Sequence, residues 1–106
     1  ETLVFDEIDT GVSGDAAKKI AIKLHETAAH HQVICVTHSP QIAAYADIHF
    51  NISKEFRDGK TFTAVEPLDY KGRVYEIARI IGGSNPTQLQ KNNAAQMIES
   101  AKSCLK

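Results

Sequence analysis

Thr2-Leu3-Val4-Phe5-Asp6-Glu7-Ile8-Asp9 is the stretch on which the fold turns. Leu3, Val4 and Phe5 form an unbroken apolar run that ends on two carboxylates. Such a run predicts a strand buried on both faces of a parallel sheet. In open α/β sheets, ligands bind just outside the carboxyl ends of the strands. Asp6 and Glu7 are therefore expected at the mouth of a site, held by a rigid strand. Adjacent acids at a strand end suit phosphate chemistry. One can hold Mg²⁺, an ion that takes few carboxylates and keeps several waters, and the other can orient or deprotonate an attacking water. The plain alternative is a solvated acidic pair in a turn.

Working outward, Thr10-Gly11-Val12-Ser13-Gly14 is turn-rich. Ser13 is a candidate N-cap and Asp15 adds favourable charge to a first helical turn. Ala17, Ile20, Ala21, Leu24 and Ala28 repeat at helical spacing and predict a helix from about Asp15 to about His30. Val33-Ile34-Cys35-Val36-Thr37 reads as a second buried strand. Strand, helix and strand at this spacing make a right-handed βαβ unit. His38 then falls at the carboxyl end of the second strand, as Asp6 and Glu7 do on the first. If the strands are neighbours, the three groups face one crevice.

Ser39-Pro40 predicts a short helix, cap followed by first-turn proline. Asp47 to Lys54 alternates as a half-exposed strand, Asp58-Gly59 signals a hairpin turn, and Thr61 to Val65 returns as a strand at the sheet edge. Val74, Ile77, Ala78 and Ile81 form a helical stripe closed by Gly82-Gly83. Asn85-Pro86 is read as the opening of a last helix carrying Leu89, Ala94, Met97, Ile98, Ala101 and Leu105. The fold class is α/β: a mainly parallel sheet with an edge β-hairpin, flanked by helices.

The 106 residues are enough for one small domain, and 42% hydrophobic with 24% charged residues fits a globular chain rather than a disordered one. A net charge of -1 gives no global basic signature for nucleic acid. Cys35 and Cys104 supply no disulfide framework and fit a reducing cytoplasm. No run approaches membrane-span length. The sequence opens directly on a core strand without an initiator Met, which reads as a piece of a longer chain.

Leu3-Val4-Phe5-Asp6-Glu7 resembles the Walker B strand of an ABC-type ATPase head, and Thr37-His38 resembles the switch histidine one strand later. Glu7-Ile8-Asp9-Thr10-Gly11-Val12-Ser13-Gly14, Thr37-His38-Ser39-Pro40-Gln41-Ile42-Ala43 and Glu76-Ile77-Ala78-Arg79-Ile80-Ile81-Gly82-Gly83 are similar to the RecN family of bacterial DNA repair ATPases, relatives of the SMC proteins. The resemblance spans essentially residues 1–106. It implies the carboxyl-terminal lobe of an ABC/SMC-type P-loop NTPase head, with ATP and Mg²⁺ as cofactors, serving double-strand break repair and recombination. Asp6 is implied to hold Mg²⁺ through water, Glu7 to polarise the attacking water, and His38 to contact the γ-phosphate. Asp9 and Ser13 occupy the D-loop, which reaches across a head dimer. Ser13 stands where the wider ABC pattern has an aspartate.

The implied partners are the amino-terminal lobe of the same protein, a second copy of the head in an ATP-dependent homodimer, and DNA through the full-length protein, with no membrane. The implied location is the bacterial cytoplasm, associated with the nucleoid. No G-x-x-x-x-G-K-[ST] loop, Ser-Gly-Gly signature or long heptad region occurs in the chain, so the segment alone is expected not to hydrolyse ATP.

Other assignments compete. A non-catalytic interaction lobe that only completes a partner lobe fits the missing phosphate loop. A different Mg²⁺-dependent phosphotransferase or nuclease needs a further strand-end carboxylate, with Asp47 and Asp69 as candidates. His38, Asp47 and His49 are a conceivable zinc set, at spacings that match no compact pattern. Lys54, Arg57, Lys60, Lys71 and Arg73 read as a solvated face, and Tyr45, Tyr70 and Tyr75 as packing or rim residues.

Overall fold

The amino-terminal apolar run forms β1, Thr2–Asp6, in a computed structural model that describes residues 1–6 and 14–105. The chain continues through α1 (Gly14–Thr27), β2 (Gln32–Val36), α2 (Pro40–Ala44), β3 (Phe50–Arg57), β4 (Lys60–Pro67), α3 (Tyr70–Gly82) and α4 (Gln88–Cys104). β1 and β2 pair in parallel, from Thr2 opposite Gln32 to Asp6 opposite Val36. The strand–helix–strand unit expected from the sequence is thus present. β3 and β4 pair antiparallel around Asp58 and Gly59, whose φ values of 52° and 76° give the two left-handed residues of a tight hairpin turn.

Two expectations are corrected. The hairpin is not the edge of one mainly parallel sheet: β1-β2 and β3-β4 stand as separate two-stranded sheets. Nor is β1 buried on both faces. Leu3 and Phe5 are half-buried, whereas Val4 is 65% exposed, and Ile34 and Val36 on β2 are exposed as well. Successive strand residues point to opposite faces, and among the described residues nothing covers the second face. The hairpin has an open apolar face too. Its register aligns Phe50 with Pro67 and Ile52 with Val65, and Ile52 is 60% and Phe56 75% exposed.

The core lies among the helices. α1 packs on α2, α2 on α3 and α4, and α3 on α4. Seven of its eleven buried residues are alanines (Ala17, Ala21, Ala43, Ala44, Ala78, Ala94 and Ala101), joined by Ile42, Tyr45, Ile77 and Ile98. Small side chains let the helix axes approach closely. Cys35 packs against this cluster from β2.

The last helix starts later than the Asn85-Pro86 pair predicts. Thr87 is the N-cap: its Oγ1 accepts from Gln90 N at 3.2 Å, and Gln90 Oε1 accepts from Thr87 N at 2.8 Å. This reciprocal box satisfies two donors that a helix start leaves open, and Asn85 offers no such pair. Thr87→Ala is expected to destabilise the protein by about 1 kcal/mol, read as a lower urea midpoint at unchanged m.

His49, between α2 and β3, gives stability a pH dependence. Burial first, and the neighbouring Arg73 guanidinium second, push its pKa below the ordinary 6.5, with Glu76 opposing. Its Nδ1 is buried without a hydrogen-bond partner among the described residues, which suits a neutral ring. As the pH falls below about 6.5, unfolded His49 takes up a proton before the folded ring does. This contribution is therefore fully present above the unfolded pKa and is lost as the pH falls through the folded one. Wild type is expected to lose more stability than His49→Asn between about pH 7 and about pH 5. Parallel profiles in urea titrations would contradict the assignment.

Candidate functional site

The parallel register sets the carboxyl ends of β1 and β2 side by side. Asp6 is the last residue of β1, directly opposite Val36, the last residue of β2. Neighbouring strands lie about 4.8 Å apart, so the exposed carboxylate of Asp6 opens at the sheet end from which Thr37 and exposed His38 emerge. The strand–helix–strand reading expects the two strands to be neighbours, and they are. Glu7, Asp9 and Ser13 lie outside the described residues.

The turn that carries His38 is closely specified. Ser39 N donates to Thr37 Oγ1 at 2.9 Å. Ser39 has extended backbone (φ -84°, ψ 120°) and caps α2, its Oγ accepting from Ile42 N at 3.4 Å. The same hydroxyl donates to Gln41 Oε1 at 3.2 Å. Pro40 follows at the first helical position, where its missing N–H is harmless. His38 thus sits between a strand end and a capped helix start, with little backbone freedom on either side. At the other end of α2, Arg73 Nη2 donates to Ala43 O and Ala44 O, both at 3.4 Å, which satisfies the carbonyls that a helix end leaves open.

The donor chemistry fits Mg²⁺ in a limited sense. A single exposed strand-end carboxylate suits an ion that keeps most of its waters. It does not suit a closed protein cage, and among the described residues no group of three or more His, Cys, Asp or Glu could hold a metal ion. His38, Asp47 and His49 therefore do not assemble a zinc set. Asp47 stands 3.5 Å from His25 Nε2, and Asp69 caps α3 by accepting from Gly72 N at 2.7 Å. Neither is a second strand-end acid for a nuclease-type centre.

A cleft of about 390 Å³ opens in the helical layer, lined by Lys18, Gln41, Tyr45, Met97 and Ala101 among others. Neither Asp6 nor His38 lines it. Gln41, which sequence reasoning treated only as part of a motif, touches both this cleft and the turn of His38.

No protein-family model matches the chain. The DNA repair protein RecN of Bacillus subtilis is 47% identical over 100 residues, which is 94% of this chain and 17% of the relative. RecN of Mycobacterium tuberculosis is 44% identical over 94% of the chain, and RecN of Xylella fastidiosa 48% identical over 92%. The chain is RecN-like. It spans under a fifth of the length of these RecN proteins. Among solved structures, a chain from work on ATP-driven dimerization and DNA-stimulated activation of SMC ATPases matches with a TM-score of 0.64. It is 24% identical and covers 79% of this chain and 50% of that one. That likeness speaks for a shared mixed α/β fold, and the RecN identities carry the family resemblance.

Proposed function

We propose that this chain is the carboxyl-terminal lobe of an SMC-like head. In this reading it supplies the hydrolytic half of an ATPase site to a RecN-type protein of DNA break repair. The observation that supports the reading is the parallel register of β1 and β2, which sets Asp6 opposite Val36, two residues before His38. RecN identity across more than nine-tenths of the chain supports it.

Asp6 would hold Mg²⁺ through water, and Glu7, next in sequence, would orient and polarise the attacking water. His38 donates a hydrogen bond toward the γ-phosphate or the water beside it. Mg²⁺, when bound, neutralises charge that develops on the phosphate oxygens. The chain's own contribution is positioning and electrostatics, the main resources of phosphoryl transfer. By resemblance, Asp9 and Ser13 occupy the place of the D-loop, the segment that reaches across a head dimer formed with ATP. DNA is bound by the full-length protein, in the bacterial cytoplasm at the nucleoid. Among the described residues no helix is long and apolar enough to cross a membrane.

The chain contains no phosphate loop, so the triphosphate is held by the amino-terminal lobe and residues 1–106 alone are inert. The open faces of both small sheets, with Val4, Ile34, Val36, Phe50 and Ile52 exposed, fit a chain that completes its sheet against that lobe. In the completed head, β1 and β2 belong to one mainly parallel sheet.

The same exposed faces favour a second reading, a lobe that completes its partner without taking part in chemistry. ATP turnover by the full-length protein separates the two. Loss of turnover in Glu7→Gln with nucleotide still bound is the result the ATPase reading requires, and unchanged turnover would transfer the chain to the interaction role.

A further inference from the structure

We propose that Thr37 is a positioning residue for hydrolysis: its hydroxyl closes a hydrogen-bonded turn around His38 and so fixes where the imidazole stands. The proposal rests on the ATPase reading above. β2 ends at Val36 and α2 begins at Pro40, so His38 lies in a short connection with Thr37 before it and Ser39 after it. The paired register of the strands runs only as far as Val36. Across the connection, Ser39 N donates to Thr37 Oγ1 at 2.9 Å. A bond of this kind, from a backbone N–H to a hydroxyl two residues earlier, shapes the backbone locally. Both rotatable backbone bonds of His38 lie inside the ring that it closes.

The far side of the ring is anchored. Ser39 Oγ accepts from Ile42 N at 3.4 Å, and Ser39 O accepts from Ala43 N at 3.0 Å. Ile42, Ala43 and Ala44 are buried in the core, and Arg73 on α3 donates to the carbonyls of Ala43 and Ala44. Ser39 therefore belongs to the helical layer, and Thr37 to the end of the sheet. The Thr37 hydroxyl ties the two together across His38. His38 is exposed, whereas Thr37 and Ser39 are half-buried. The aim of the imidazole thus depends on the backbone beneath it more than on packing. Catalytic groups must be held within about 0.5 Å of the productive geometry, and an error of about 1 Å can cost about a hundredfold in rate.

The test uses the full-length protein with Thr37→Val and Thr37→Ser, each also combined with His38→Ala. Valine keeps the branched shape and removes the acceptor, whereas serine keeps the acceptor. Thr37→Val is expected to lower kcat about tenfold with KM for ATP within about twofold, and Thr37→Ser to stay within about twofold of wild type in both. Beside His38→Ala, which itself lowers kcat, Thr37→Val should add less than about twofold, because the group it positions is already gone. Thermal unfolding should stay close to wild type. Thr37→Ala, which leaves no branched side chain to accommodate, replaces the valine variant if that protein does not fold. Wild-type kcat in Thr37→Val, beside an inactive Glu7→Gln, would overturn the role of Thr37 and leave the ATPase reading intact. Full additivity with His38→Ala, or a His38→Ala protein with wild-type kcat, would overturn it as well. So would a rise in KM with a collapse of thermal stability, the pattern of a structural residue. A wild-type protein that does not turn over ATP would remove both.

Discussion

Glutamine in place of Glu7 is expected to lower ATP turnover by the full-length protein about 100- to 10,000-fold, with ATP affinity held within about threefold. The substitution preserves the length of the side chain and one oxygen acceptor. A water can still be bound there. What is lost is the negative charge that polarises the water and the capacity to take its proton. Asp6, at the end of β1, is untouched, so the proposed hold on Mg²⁺ persists and nucleotide binding survives. Phosphate release under saturating ATP gives kcat, and titration with a fluorescent nucleotide gives affinity. Loss of both together would mean that Glu7 supports binding rather than the chemical step. Loss of neither would leave the lobe as an interaction module.

The parts of this molecule that were legible in its sequence depend on local signals. Asp58-Gly59 dictates a hairpin because both residues tolerate positive φ, and the turn has that form. The apolar runs at Val4 and Ile34, separated by one helical stripe, dictate a parallel pair, which sets Asp6 opposite Val36, two residues before His38. What was not legible depends on who covers what. A continuous apolar run says that both faces want burial, but not whether the covering groups belong to the same segment. Val4 is correctly apolar and yet exposed here. The start of α4 was misplaced because Asn85-Pro86 and Thr87 are both acceptable caps by type. Only the reciprocal bond to Gln90 decides between them. The buried setting of His49 is not legible for a different reason. A histidine before a strand is ordinary in composition, and what lowers its pKa, burial first and the Arg73 guanidinium second, is set by packing against a helix far along the chain. Glu7, Asp9 and Ser13 lie outside the described residues, so their roles rest on sequence and resemblance.

Ile98→Ala is expected to destabilise this unit by about 2–5 kcal/mol. Ile98 and Ile77 have no exposed surface and are the largest fully buried side chains of the core, the first on α4 and the second on α3. Most of the remaining core is alanine, which buries little area per residue and has no spare length with which to fill a void. Removing three carbons from Ile98 therefore forfeits their transfer free energy and leaves a cavity between closely packed helices that cannot collapse much further. For a unit of this size each 1 kcal/mol moves the midpoint by about 4–8 °C, so a fall of about 10 °C or more is expected in the thermal transition that reports this lobe. Leu89→Ala, in the first turn of the same helix, removes a side chain that is 72% exposed and should stay within about 0.5 kcal/mol of wild type. The contrast isolates packing from helix propensity, because alanine is the better helix former at both sites. Equal midpoints for the two variants would mean that the helical core does not carry the stability of the lobe. The open sheet faces, closed by the rest of the protein, would then have to carry it instead.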